Sequence, residues 1–157
     1  MTTEVDNSIE ILSDLIELNN DRVNGFTKAV EKLDSKDQDL KSVFDELIQQ
    51  SQRFIRELTS EAMKIDSGYK QDSTSTIGGS MHRAWIDIKT LFKQRDREAI
   101  LTECERGEDA IKRAYKDALS SNNDLDKTQI DLIAEQATVI LSAHDKIRSL
   151  RNRENQE

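Results

Sequence analysis

The sequence predicts an all-α fold in which four long helices pack as a bundle. Three observations carry that reading. Proline is absent from all 157 residues and only five glycines occur, so long stretches contain nothing that breaks a helix. Charged residues make up 34% of the chain, and with Leu, Ile and Ala they give the composition of long, solvated helices. Apolar residues recur three and four apart in four separate segments, the spacing of one helix face. Nowhere do β-branched and aromatic residues alternate with polar ones over a strand length. At this length one domain, 1–157, with a core of its own is expected.

The first helix is expected at about 8–33. Asn7 with Glu10 three residues later has the form of a capping box, and the stripe behind it is Ile9, Leu12, Ile16, Asn19, Val23, Phe26, Val30 and Leu33. Ser35 and Gln38 repeat the capping pattern and open a second helix, about 36–65, with the stripe Leu40, Phe44, Leu47, Ser51, Phe54, Leu58, Ala62 and Ile65. Each stripe carries one polar residue near its middle, Asn19 and Ser51. Residues 66–79 are rich in Gly, Ser and Thr and read as a loop. A crossover of this length lets the next long helix enter from the far end of the bundle instead of folding straight back. A short helix is expected at about 80–93, with Met81, Trp85, Ile88, Leu91 and Phe92 on one side. Asp96 then caps a third long helix, about 96–120, whose stripe is Leu101, Cys104, Glu108, Ile111, Tyr115 and Ala118. After the turn cluster Ser120-Ser121-Asn122-Asn123-Asp124 a last helix, about 127–151, shows Ile130, Ile133, Ala137, Ile140, His144 and Ile147.

The net charge of −8 argues against nucleic acid and anionic membranes as partners, since both repel an acidic surface. No apolar run approaches the roughly 20 residues needed to span a bilayer. The start, Met1-Thr2-Thr3-Glu4-Val5-Asp6, lacks the basic and apolar regions of a signal peptide. Cys104 is the only cysteine, which excludes an internal disulfide and points to a reducing compartment. A cytoplasmic location is therefore expected.

The run Glu103-Cys104-Glu105-Arg106-Gly107-Glu108-Asp109 is the most informative stretch. It places Glu108 on the apolar stripe, where a Leu would be expected, and a buried carboxylate needs a partner. By stripe position the nearest candidate is His144. With Asn19 and Ser51 the two form an expected mid-bundle polar layer of Asn19, Ser51, Glu108 and His144, one member per helix. Replacing Glu108 by Leu can then even stabilise the fold, as replacing buried polar groups sometimes does.

His82-Arg83-x-Trp85, then Ala99-Ile100-Leu101-x-Glu103-Cys104-Glu105-Arg106-Gly107-Glu108-Asp109, then Tyr115, Gln136 and His144-Asp145 together form a wider pattern. With Asn19-Asn20-Asp21-Arg22-x-x-Gly25-Phe26 it resembles a bacterial family of ferritin-like four-helix-bundle proteins classed as a domain of unknown function. The resemblance covers nearly the whole chain. It implies a ferritin-like up-down four-helix bundle with a long crossover carrying one short extra helix, and it implies no established activity.

Ferritin-like di-iron centres take a Glu from each of two helices and a Glu-x-x-His pair from each of the other two. Leu141 precedes His144 by three residues and Gly79 precedes His82 by three, so neither pair is present and no cofactor is expected. The alternative is a reduced site in which Glu105, Glu108 and His144 hold iron, manganese or zinc with water completing the shell. Cys104 on the stripe reads as a small buried hydrophobe, and no nucleophile motif or phosphate-cradling loop occurs. The function expected is therefore non-catalytic, through self-association or a protein partner. The Met81-Trp85-Ile88-Phe92 face, too apolar to lie uncovered in water, is the expected contact, and a homodimer the expected form.

Overall fold

The computed structural model describes residues 3–70, 97–120 and 124–155. Among these lie four α-helices, α1 (Thr3–Lys32), α2 (Gln38–Ile65), α3 (Arg97–Ser120) and α4 (Lys127–Asn155), with a 3-10 turn at Ser35–Asp37 and no strand. The chain is an all-α helical bundle. The short helix expected at 80–93, its Met81-Trp85-Ile88-Phe92 face and the Asp96 cap lie outside the described residues. No helix among the described residues is long and apolar enough to cross a membrane.

The helix ends depart from the sequence expectation in ways that have a physical cause. The chain is already helical at Thr3, so Asn7 does not cap α1. Its side-chain amide donates instead to Asp124 Oδ2 at 3.0 Å, and the Ser8 hydroxyl donates to the Asp124 carbonyl. Both bonds tie α1 to the turn before α4. Ser35 and Gln38 do not form a capping box either: neither Asp34 nor Asp37 makes a side-chain cap bond. Asp37 is buried and accepts from Arg97 Nη1 at 3.0 Å. A guanidinium offers a carboxylate a stronger, charge-assisted bond than a backbone amide does. A capping box does close the start of α4, where Gln129 N donates to Asp126 Oδ1 at 2.8 Å and Asp126 N donates to Gln129 Oε1 at 3.0 Å.

Two antiparallel hairpins build the bundle. Helices α1 and α2 pack along their lengths, as do α3 and α4, whereas the hairpins meet more sparingly, α1 on α3 and α2 on α4. Both of these contacts are antiparallel: Asn19 meets Tyr115 and Arg22 meets Glu108, while Glu57 meets Gln136 and Glu46 meets Lys146. Helices α2 and α3 consequently run parallel, so the end of α2 and the described start of α3 lie at opposite ends of the bundle. Arg97, the first described residue of α3, ties that helix to its neighbours. It donates to Asp39 Oδ1 and Oδ2 at 3.0 and 2.5 Å, to Asp37 at 3.0 Å and to Glu154 Oε1 at 2.6 Å. The start of α3 is thereby clamped beside the start of α2 and the end of α4.

The apolar stripes converge on one core that draws Leu12, Ile16 and Phe26 from α1, Phe44, Phe54 and Leu58 from α2, Leu101 and Ile111 from α3, and Ile133, Ile140 and Ile147 from α4. The Phe26 and Phe44 rings lie 5.2 Å apart and tilted by 39°, a favourable separation for an aromatic pair.

Candidate functional site

The middle of this core is polar. On α1 the residues Leu15, Asn19, Arg22 and Phe26 succeed one another by four, three and four, so they share one face, and all four are buried. Arg22 therefore points into the bundle with its guanidinium at 0% exposure. Glu108, at the same depth on α3, meets it with both oxygens: Arg22 Nε to Oε1 is 2.7 Å and Nη2 to Oε2 is 2.9 Å. This paired, parallel geometry is the strongest form of arginine–carboxylate contact. The partner of Glu108 is thus Arg22 and not His144, because the guanidinium reaches across the α1–α3 contact with two aligned donors. The Arg22 guanidinium also lies 5.8 Å from the Phe26 ring centroid, within cation–π range.

From this ion pair a chain of donors runs through the other helices. Arg22 Nη1 donates to Ser51 Oγ at 2.9 Å, Ser51 Oγ to Asn19 Oδ1 at 2.8 Å, and Asn19 Nδ2 to Tyr115 Oη at 2.9 Å. Tyr115 Oη in turn donates to Gln136 Oε1 at 2.6 Å, and Gln136 Nε2 to Glu57 Oε1 at 3.1 Å. Asn19 Nδ2 also donates to the Leu15 carbonyl at 2.8 Å. Every bond in the chain points the same way, from the cation towards the half-buried carboxylate of Glu57, so successive dipoles reinforce one another. Burial pushes the Tyr115 phenol well above its ordinary value, which keeps it the neutral donor this chain needs. The neighbouring Cys104 thiol is raised too, first by burial and then by the charges of Glu108 and Glu103.

Of the residues singled out from sequence, Asn19, Ser51 and Glu108 come together in this layer. His144 does not join it. Its ring is at 0% exposure, with Nε2 against Asp109 Oδ1 and Nδ1 3.3 Å from Asp145 Oδ1. Glu105 turns to α4 instead, taking Arg148 Nε at 3.2 Å and pairing with Arg151. Glu105, Glu108 and His144 thus face three different sets of partners, and among the described residues no three His, Cys, Asp or Glu side chains stand together as a group able to hold a metal ion.

Sequence reasoning missed Arg22, Tyr115 as a polar member, and Gln136. Val23 fits the apolar stripe and so masks Arg22 beside it; the position of Arg22, three after Asn19 and four before Phe26, is the available signal. Gln136, four residues before Ile140, held the same kind of signal on α4.

A family model described as a domain of unknown function, DUF2383, matches residues 7–121. The chain belongs to the DUF2383 family. The DUF2383 match holds α1 from Asn7, α2 and α3, so Asn19, Arg22, Ser51, Glu108 and Tyr115 all fall inside it, as does the run Glu103–Asp109. Gln136 and His144 on α4 fall outside it. No curated protein and no solved structure matches the chain.

Proposed function

We propose that this DUF2383 protein is a ferritin-like bundle that acts non-catalytically, by associating with a second copy of itself or with a protein partner. One observation carries the reading: the interior groups that would do chemistry are bound to each other. Glu108 gives both oxygens to Arg22, and Ser51 and Tyr115 each donate and accept within the layer. A catalytic carboxylate or phenol needs an open side from which a substrate can be reached, and these have spent theirs. The single long crossover between two hairpins is the connectivity of ferritin-like bundles, which supports that part of the reading. Against a reduced metal centre of Glu105, Glu108 and His144 stand the arginines and carboxylates these side chains already hold.

The contact surface in this reading is the face bearing Met81, Trp85, Ile88 and Phe92. Size-exclusion chromatography with light scattering at micromolar protein tests it. A dimer that Trp85→Glu converts to monomer supports self-association through that face, whereas a strict monomer removes the homodimer. Metal analysis of protein purified without chelator tests the non-catalytic part. Stoichiometric iron, manganese or zinc that is lost in Glu108→Ala overturns it.

A further inference from the structure

We propose that the mid-bundle polar layer is a register key: it selects which faces of the α1–α2 and α3–α4 hairpins meet, and at what axial offset, and does not serve chiefly to strengthen their union. Its members are divided between the hairpins. Arg22, Asn19 and Ser51 are joined on one side, Tyr115 and Gln136 on the other. The bonds that complete the layer all cross between them, Arg22 to Glu108, Asn19 to Tyr115 and Gln136 to Glu57.

Apolar contact alone chooses this register poorly. Each stripe repeats Leu, Ile, Phe and Ala at intervals of three and four, so sliding α3 along α1 by one turn, about 5.4 Å, again sets apolar residues opposite apolar residues. Contacts between the hairpins are sparse beside those within them, and the connection through residues 66–96 is long enough to permit several offsets. Arg97 opposes a slip at one end through the buried Asp37 as well as Asp39 and Glu154. Its guanidinium is itself partly exposed, however, and Asp39 largely so, and water can replace exposed ion pairs at little cost. At the centre both ions are shut off from bulk solvent. A one-turn slip would carry Glu108 away from contacts of 2.7 and 2.9 Å and strand two charges at 0% exposure, while separating Asn19 from Tyr115 in the same movement. A buried polar residue that fixes register in this way is best known from coiled coils, where it does so at some cost in stability.

The test replaces both ions by apolar side chains, Arg22→Met with Glu108→Leu, in the full chain. The expected product is helical, cooperative, and melts no lower than the parent, yet its amide NMR spectrum shows doubled or broadened resonances along α1 and α3. Hydrogen-exchange protection at the α1–α3 contact should fall at least tenfold. The alternative pair, Arg22→Leu with Glu108→Met, guards against an accident of packing. A single sharp set of resonances in either double variant overturns the proposal. Failure of both to fold overturns it equally, because the pair would then hold the bundle together and not merely choose its register.

Discussion

Glu108→Leu alone should destabilise the protein severely, although sequence reasoning pointed the other way. Leu suits an apolar stripe, and its burial recovers some hydrophobic free energy. The substitution nevertheless leaves the Arg22 guanidinium at 0% exposure with Ser51 and the Phe26 ring as its remaining neighbours. Removing one partner of a buried ion pair costs about 3–5 kcal/mol, because the other charge is left uncompensated. For a chain of 150–250 residues each kcal/mol moves the melting temperature by about 2–4 °C, so a fall of about 6–20 °C is expected. Far-UV circular dichroism melts and urea titrations of parent, Glu108→Leu, Arg22→Met and the double variant form a double-mutant cycle. Both single variants should lose stability and the double should return to at least the parent's. A Glu108→Leu protein melting at or above the parent would refute the reasoning, since Arg22 would then have reached water or a second anion.

Three further outcomes follow from the same geometry. Tyr115→Phe removes a hydroxyl that accepts from Asn19 and donates to Gln136. Two buried amide groups lose a partner at about 1–3 kcal/mol each, which a urea midpoint will report, and an unchanged midpoint would mean that the layer rearranges. Cys104 is buried, and its thiol lies well above the ordinary range, so an aromatic disulfide reagent should label it only as fast as the protein opens; rapid labelling of the folded protein would contradict this. Asp39 is held below its ordinary 3.8 by the Arg97 hydrogen bonds. A depressed carboxyl stabilises the fold above its unfolded value and loses that contribution as the pH falls through the folded one. Asp39→Asn should therefore lower the urea midpoint at neutral pH, by an amount that shrinks in salt and vanishes in strong acid. A difference that persists at low pH would assign the effect to packing.

The bundle was legible because its signal repeats: four stripes, each many turns long, outvote any single odd residue. The direction of α3 was legible as well, from the length of the connection before it. The wiring of the interior was read only in part, since a stripe gives the depth of a side chain and not the neighbour it meets. Glu108 stood out as a carboxylate among hydrophobes, but choosing between His144 and Arg22 required knowing that α1 lies against α3 at that level. Arginine also misleads as a sequence signal, because it is so often a solvated residue beside the stripe. The helix starts failed for a local reason: Asn7 fits a capping pattern, yet its side chain found a partner in the turn before α4, and at the start of α2 the carboxylate of Asp37 is taken by Arg97. Asp126 and Gln129 had no such rival and formed the box.

Arg22 and Glu108 are separated by 86 positions in the chain, which has a consequence during synthesis. The first half of the polypeptide leaves the ribosome with a cation set into the ridge of Leu15, Leu18 and Phe26, before Glu108, the carboxylate that pairs with it in the finished fold, has been made. A charge inside an otherwise greasy surface discourages unfinished copies from sticking to one another. When Glu108 arrives it silences that charge, and the guard against premature clumping becomes part of the finished interior.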